Sequence, residues 1–261
     1  MKVVGWVGAI FFWVVLAALL FGARLPLTDA ILVAVLLVAV PTLSAAQLPL
    51  VEGVRVERLP AYYGSITALW LLGSASWLVG TRTGGAAALG LGAMAPAPFL
   101  LWSLGLTAAG LVTMLVFRQI AMWTGADESP VLRDLLPRTR REKGVFALLS
   151  VAAGAGEELA YRGYSIPVLA GLFGTWGAGA LTSVVFGALH AYQGWLGTAR
   201  TALMGGILAW GFLASESLWP AIVAHTAIDL LAGLVLGEKL LPPSEHIGVV
   251  GAPERSLATK R

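Results

Sequence analysis

The chain has 261 residues, of which 58% are hydrophobic and only 12% carry a charge, with a formal net charge of +3. A water-soluble domain usually carries about 25% charged residues, so this composition excludes an ordinary soluble surface and predicts that lipid solvates part of the chain. Cysteine is absent, which excludes disulfides, zinc–thiolate sites, iron–sulfur clusters and thiol nucleophiles.

Apolar segments follow one another along the chain, and many have the length of about 20 residues that a membrane helix needs. We therefore predict an all-α fold, a polytopic bundle of about eight transmembrane helices. The first segment is longer than the apolar region of a signal peptide and no clear cleavage site follows it, so we interpret it as a retained span. The predicted spans are residues 3–22, 30–50, 61–80, 97–117, 144–169, 175–194, 198–215 and 218–237.

Basic residues are distributed unevenly among the predicted loops. If the amino terminus is cytoplasmic, only Arg24 and Arg82 of the 17 Lys and Arg residues fall in outer loops, and Arg162 falls within a span. All the others lie in cytoplasmic segments or in the span ends that face them. The positive-inside rule then predicts a multi-pass protein of the cell membrane with both termini in the cytoplasm.

The chain divides into four regions by polarity. Residues 1–117 hold four spans with almost no polar side chains beyond Ser, Thr and Gln, which predicts a scaffold. Residues 118–143 form a basic cytoplasmic loop that either anchors the topology on an anionic leaflet or docks substrate. Residues 144–237 hold four further spans, and we predict that they form the catalytic core. Residues 238–261 lack periodicity and are predicted to be a flexible cytoplasmic tail.

Away from the span ends, charged residues and histidines within the predicted spans occur only in the second half of the chain, in three short clusters. Such residues are costly inside a bilayer and are functional candidates by default. The clusters are Glu157-Glu158-Leu159-Ala160-Tyr161-Arg162, Phe186-Gly187-Ala188-Leu189-His190 and His225-Thr226-Ala227-Ile228-Asp229.

The first cluster places two carboxylates side by side in a helix. Glu158 and Arg162 are four residues apart, so they share a helix face and are predicted to form a buried ion pair. Glu157 is rotated by about 100° from Glu158 and is free to face a polar cavity. This separation allows Glu158 to be structural while Glu157 acts as a general base.

The other two clusters repeat the spacing of four residues. His225 and Asp229 share a helix face, and we expect Asp229 to orient the imidazole or to accept its N–H. Phe186 precedes His190 by one turn and is expected to cover one side of its ring.

Two chemistries remain open for these residues. In one, Glu157 and His190 activate a water molecule directly, while His225 and Asp229 stabilise the oxyanion. In the other, a divalent metal such as zinc, held by Glu157, His190 and His225, activates the water. The sequence has neither the His-Glu-x-x-His pattern of common zinc proteases nor the Gly-x-Ser-x-Gly turn of serine hydrolases.

The order Glu-Glu-x-x-x-Arg, Phe-x-x-x-His and His-x-x-x-Asn/Asp resembles the CAAX protease and bacteriocin-processing (CPBP, or Abi) family, which includes the type II CAAX prenyl endopeptidases. Tyr161 and Gly163, on either side of Arg162, also resemble the common form of the family. The resemblance covers about the last four spans. It implies a bundle of about eight helices and hydrolysis of a peptide bond within or next to the membrane.

The same resemblance implies roles for individual residues. Glu157 carries over as the water-activating base and His190 as its partner, with His225 and Asp229 at the oxyanion side. Glu158, Arg162, Phe186 and Tyr161 carry over as supporting residues. Members of the family have been described both as metalloproteases and as glutamate-dependent proteases, so we expect either no required cofactor or a divalent metal such as zinc.

The predicted function is an intramembrane endopeptidase acting on a membrane-associated peptide or protein, with no nucleic-acid partner. Asp229 stands where the eukaryotic prenyl endopeptidases have Asn, so both a CAAX-type and a peptide-maturation substrate stay open. The composition, rich in Ala, Gly, Leu and Arg, looks prokaryotic. The alternatives are a non-catalytic membrane scaffold or immunity protein that retains the motif as structure, and a proton-coupled transporter, against which the lack of evident inverted repeats argues.

Overall fold

The computed structural model of the protein describes residues 2–51, 56–126 and 129–240. Within these ranges the chain is helical and contains no strand, which confirms the predicted all-α membrane bundle. Residues 241–261 of the predicted flexible tail lie outside the described residues. The α-helices are α1 (Lys2–Ala17), α2 (Leu27–Ala34), α3 (Val40–Val51), α4 (Arg58–Gly80), α5 (Pro96–Thr124), α6 (Pro130–Asp134), α7 (Arg140–Glu157), α8 (Ile166–Leu189), α9 (Gly194–Ser215) and α10 (Trp219–Leu230).

Shorter helical segments of other types extend or connect these α-helices. The π-helical segments are Ala18–Gly22, Val35–Ala39, Glu158–Ser165 and Leu231–Leu236, and the 3₁₀ segments are Gly85–Leu89, Ala191–Gln193 and Gly237–Leu240. Several α-helices therefore continue without a break through a π-helical turn, as α7 does through the first predicted cluster.

Five helices of the described chain are long and apolar enough to cross a membrane, so the chain is a multi-pass membrane protein. One of them, Arg140–Leu189, is 50 residues long and leaves helical geometry at Gly174, where φ is 69° and ψ is 161°. This break separates the predicted spans 144–169 and 175–194. The predicted spans 61–80 and 198–215 coincide with α4 and α9, which are helical but not among the five. The orientation of the termini stays a prediction.

The outer surface of the bundle is covered by large apolar side chains. Phe21 is 81% exposed, and Leu101, Trp123 and Trp6 are likewise exposed. Exposed apolar surface on this scale is unfavourable in water and is expected where lipid chains are the solvent.

Helix α7 lies between α4 and α10, and glycine permits both contacts. A Cβ atom at Gly154 would lie 2.1 Å from Oγ1 of Thr226 on α10, and one at Gly156 would lie 2.6 Å from the Leu69 carbonyl oxygen on α4. Small residues let membrane helices approach this closely. The last turn of α7, which carries Glu157, is therefore held firmly against the helix that carries His225.

The π-helical segment Glu158–Ser165 is fastened to the amino-terminal helices by buried hydroxyl groups. The Tyr161 hydroxyl donates to the Leu36 carbonyl oxygen at 3.1 Å, and Leu36 itself lies in a π-helical turn. The Tyr164 hydroxyl donates to Oδ1 of Asp29 at 3.0 Å. Single π-helical turns occur frequently at functional sites, and this one holds the first predicted cluster.

Candidate active site

A cavity of about 310 Å³ lies among α4, α7, α8, α9 and α10. Its wall includes Glu157, His190, His225 and Asp229, which come from α7, α8 and α10. Most of the remaining wall is apolar and includes Leu69, Phe146, Leu149, Met204 and Ile228. Each of the three predicted clusters thus contributes at least one polar residue to a single concave, mainly apolar site, as is typical of ligand-binding cavities.

The two adjacent glutamates face different surroundings. Glu158 is fully buried, and its Oε1 accepts hydrogen bonds from Nη1 of Arg162 at 2.9 Å and from Nδ1 of His225 at 2.8 Å. Glu157 lines the cavity, with 15% of its side chain exposed. Only Glu157 is therefore open to a molecule in the cavity.

Arg162 connects the supporting residues into one buried group. Its Nη2 donates to the Gly205 carbonyl oxygen at 3.1 Å, and its guanidinium carbon lies 4.3 Å from the centre of the Phe186 ring. The Tyr161 ring packs edge-on against Phe186, with 5.6 Å between the ring centres. Ion pairing, a carbonyl and an aromatic face together compensate for burying this cation.

His225 is oriented by Glu158, which differs from the sequence prediction. The Glu158 carboxylate is paired with Arg162 and can only accept, so Nδ1 of His225 carries the proton that forms the 2.8 Å bond. Nε2 of His225 faces Oε2 of Glu157 at 3.6 Å and Oδ2 of Asp229 at 3.8 Å. Both distances exceed a direct hydrogen bond, so in this geometry Asp229 faces the ring without a direct bond to it, and its predicted role in orienting the ring stays a prediction. The close approach of α7 and α10 brings Glu158 nearer to the ring than the residue on its own helix.

His190 ends helix α8 and is fixed by its own backbone. Its Nδ1 lies 2.9 Å from the Phe186 carbonyl oxygen, which can only accept, so Nδ1 carries a proton, and in the neutral ring Nε2 is then an acceptor. The Phe186 ring lies 4.9 Å from the His190 ring, as expected for a covering residue, and the Tyr192 ring lies 5.8 Å away. Among the described residues, no direct hydrogen bond or ion pair joins Glu157 to His190; the two meet through the cavity.

The same geometry bears on the predicted metal ligands Glu157, His190 and His225. Within residues 2–51, 56–126 and 129–240, no three His, Asp or Glu side chains are grouped so that they could hold a metal ion. Glu157, His190 and His225 therefore do not fit a metal as they stand, and we derive no reaction step through one.

Sequence reasoning missed a second group of polar residues in the cavity wall. Tyr192, Gln193, Arg200 and Thr201 all line the cavity, and Arg200 is only 9% exposed. From the sequence, Arg200 is predicted to lie at a cytoplasmic span end, and no role is predicted for the other three. Two signals were available: Tyr192 and Gln193 follow His190 almost directly, and Arg200 lies inside the predicted span 198–215.

Comparison with known proteins gives one finding. No curated protein and no solved structure matches the chain. A family model described as type II CAAX prenyl endopeptidase Rce1-like matches residues 141–231, which include all three clusters. The match implies a protease with a membrane-associated substrate. Residues 141–231 of this membrane protein therefore form an Rce1-like domain, which confirms the resemblance to the CAAX protease family carried by its motifs.

Proposed function

We propose that the protein is an intramembrane endopeptidase that hydrolyses a peptide bond of a membrane-associated substrate, using a water molecule activated by Glu157 and His190. One observation carries the proposal: Glu157, His190, His225 and Asp229, from three helices of the Rce1-like domain, line a single cavity. Ionisable groups that converge in this way inside a membrane protein are costly and are retained for function.

The reaction needs a base, an acceptor that orients the water, and a route for one proton. Glu157 takes a proton from the water, and the water oxygen attacks the carbonyl carbon of the peptide. Nε2 of His190, fixed as an acceptor by the bond between Nδ1 and Phe186, accepts the second hydrogen of the same water. When the tetrahedral intermediate collapses, the C–N bond breaks and the proton held by Glu157 passes to the leaving amine. One water is consumed, and a carboxylic acid and an amine are formed.

His225 and Asp229 are proposed to form the opposite side of the reaction site. Glu158 anchors the His225 ring through Nδ1, so Nε2 stays directed towards Glu157 and Asp229. The separations of 3.6 and 3.8 Å are ones that a bridging water closes with ordinary hydrogen bonds. In this arrangement His225 lies beside the reacting carbonyl, and Asp229 holds a water at the edge of the site.

We propose a separate role for each region of the chain. Residues 144–237 form the catalytic core, residues 1–117 the scaffold against which its motif segment is fastened, and residues 118–143 the cytoplasmic loop. Leu132, Leu135 and Leu136 of that loop line the cavity, which supports a role in substrate contact. The apolar wall suits a substrate that reaches the site with hydrophobic side chains or a lipid group.

The proposal is tested by cleavage in reconstituted proteoliposomes. The substrates are a fluorogenic peptide farnesylated on a cysteine four residues from its carboxyl end, and an unmodified membrane-spanning peptide. We expect cleavage of at least one by the wild-type protein, a loss of about 10³-fold or more with Glu157→Ala, and a loss of about 10²-fold or more with His190→Ala. Glu57→Gln is the matched control, because Glu57 is exposed at the start of α4 and outside the cavity. Equal cleavage by wild type, Glu157→Ala and His190→Ala would remove the proposal.

A further inference from the structure

The polar residues missed by sequence reasoning form a directed chain of hydrogen bonds in the cavity wall. Nη2 of Arg200 and Oγ1 of Thr201 lie 3.0 and 3.3 Å from Oε1 of Gln193. A guanidinium group only donates, so it fixes Oε1 as the acceptor and Nε2 as the donor end of the Gln193 amide. That Nε2 donates to the Tyr192 hydroxyl oxygen at 3.4 Å. The donors on α9 therefore fix the orientation of the Gln193 amide, and that orientation directs its N–H at the Tyr192 hydroxyl.

The direction of these hydrogen bonds determines whether the Tyr192 hydroxyl can still donate its own hydrogen. An O–H group that accepts a bond at its oxygen keeps its own hydrogen for donation. Among the described residues, the Tyr192 hydroxyl donates to no protein acceptor, while its side chain lines the same cavity as Glu157 and His190. The ring stands 5.8 Å from the His190 ring, and the 3₁₀ segment Ala191–Gln193 places it directly after that catalytic candidate.

The proposed reaction requires a hydrogen-bond donor for the carbonyl oxygen of the substrate, and the Tyr192 hydroxyl can supply it. As the water oxygen attacks, the carbonyl oxygen gains negative charge and is stabilised by hydrogen-bond donors directed at it. Asp229, as a carboxylate, only accepts, and Glu157 is engaged with the proton of the attacking water. The Nδ1–H of His225 is already donated to Glu158, and its Nε2 faces the two carboxyl groups of Glu157 and Asp229. The Tyr192 hydroxyl lines the same cavity as a neutral donor and, among the described residues, gives its hydrogen to no protein acceptor.

We infer that Tyr192 is a further catalytic residue, whose hydroxyl donates a hydrogen bond to the carbonyl oxygen of the scissile peptide, and that Gln193 and Arg200 position it. This role rests on the proposed peptidase function. This role gives buried Arg200 a function beside the cavity, because its bond to Gln193 sets the direction of the hydrogen bonds that lead to Tyr192.

The test compares Tyr192→Phe with wild type under steady-state conditions in proteoliposomes. Phenylalanine keeps the ring beside His190 and removes only the hydroxyl. We expect kcat to fall by about 10²-fold, as when one oxyanion donor is lost, with KM changed by less than about twofold because the bond forms fully only in the transition state. Tyr63→Phe is the control, since Tyr63 is 47% exposed on α4 and does not line the cavity.

A second readout separates contact with the carbonyl from a structural role. Replacing the scissile carbonyl oxygen of the peptide by sulfur weakens its hydrogen bonds, so wild type is expected to lose more rate on this thioamide than Tyr192→Phe loses. Gln193→Ala is expected to lower kcat by less than Tyr192→Phe does and to add little in the double variant, because both act through one hydrogen bond. Equal thioamide penalties in wild type and Tyr192→Phe would overturn the assignment.

The outcomes also separate this inference from the function on which it rests. If Glu157→Ala abolishes cleavage while Tyr192→Phe retains wild-type kcat, the peptidase stands and the role of Tyr192 falls. If the wild-type protein cleaves neither peptide, or if Glu157→Ala cleaves as well as wild type, the proposed function and the role of Tyr192 fall together.

Discussion

The amino-terminal helices α1–α5 and the later helices α7–α10 bury polar groups in different ways. Among the described residues, the buried polar side chains of the first region are Ser76, Ser103 and Thr113, all uncharged. The second region buries Glu158, Arg162, Arg200 and His225. Each of these charged or titratable groups has a partner of its own, such as the 2.9 Å contact between Arg162 and Glu158. The second region therefore accepts fully buried ionisable groups where they are paired around a cavity, and the described part of the first region buries none to that degree.

The largest expected effect comes from breaking the buried pair of the second region. Arg162→Met leaves Glu158 as a buried anion without a cation, held only by its bond from His225, and removes the bond to Gly205, so we expect a loss of about 3–5 kcal/mol in the free energy of unfolding. Thermal unfolding in detergent measures it. The double variant Glu158→Gln, Arg162→Met removes both charges and is expected to recover part of the loss. An unchanged unfolding temperature for Arg162→Met would show that this pair is not what permits the burial.

The next effect tests the close approach that brings the catalytic candidates together. Gly154→Ala adds a Cβ atom 2.1 Å from Oγ1 of Thr226 and 2.9 Å from the Ile222 carbonyl oxygen. Because α10 must move away, we expect a loss of about 1–3 kcal/mol in stability and a fall in cleavage rate as His225 moves from Glu157. Gly144→Ala, on the same helix with no atom within 4 Å of the added Cβ, is the control. Equal stability and equal cleavage rates for the two variants would show that the close approach at Gly154 does not position the site.

A smaller effect is expected from the hydrogen bond that connects the two regions. Tyr164 is buried and donates to Asp29, so Tyr164→Phe removes one hydrogen bond between the motif segment and α2. We expect a loss of about 1 kcal/mol in the free energy of unfolding, because Asp29 keeps its bond to Arg82. Chemical unfolding of the variant beside Tyr63→Phe gives the difference. A loss as large as that of Arg162→Met would mean that the scaffold supports the site more strongly than this account holds.

The smallest effect comes from the ion pair of the first region. Nη2 of Arg82 lies 2.7 Å from Oδ2 of Asp29, but 42% of the Arg82 side chain is exposed. Exposed pairs contribute about 0–1 kcal/mol, so Arg82→Met is expected to change the unfolding temperature only slightly. The ratio of this effect to that of Arg162→Met measures how far burial, and not charge pairing alone, distinguishes the two regions.

Local spacing allowed part of the site to be predicted, and long-range packing determined the rest. The pairing of Glu158 with Arg162 follows from four-residue helical spacing, and the different surroundings of Glu157 follow from helical rotation. The bond from His225 to Glu158 could not be predicted in this way, because it depends on how α7 and α10 are rotated towards each other at Gly154. Tyr192 was missed for a related reason: a short 3₁₀ segment, absent from a pattern of long apolar spans, turns it into the cavity.

The fold was predictable from composition, since lipid as solvent allows only helices with all their backbone groups satisfied or a closed barrel. The positions of eight helical stretches follow the apolar segments closely, including the break at Gly174 between residues 169 and 175. The π-helical segment Glu158–Ser165 was not predicted, because no local spacing distinguishes it from an α-helix, and its tyrosines bond to Leu36 and Asp29, which are distant in sequence.

The central claim is that Glu157 activates a water molecule for attack on a peptide bond. The most direct measurement is cleavage by purified wild type and Glu157→Gln in H₂¹⁸O, with mass spectrometry of the new carboxyl terminus. The account predicts that wild type forms a product carrying one ¹⁸O atom and that Glu157→Gln forms almost none of this product. Labelled product formed at the wild-type rate by Glu157→Gln would contradict it.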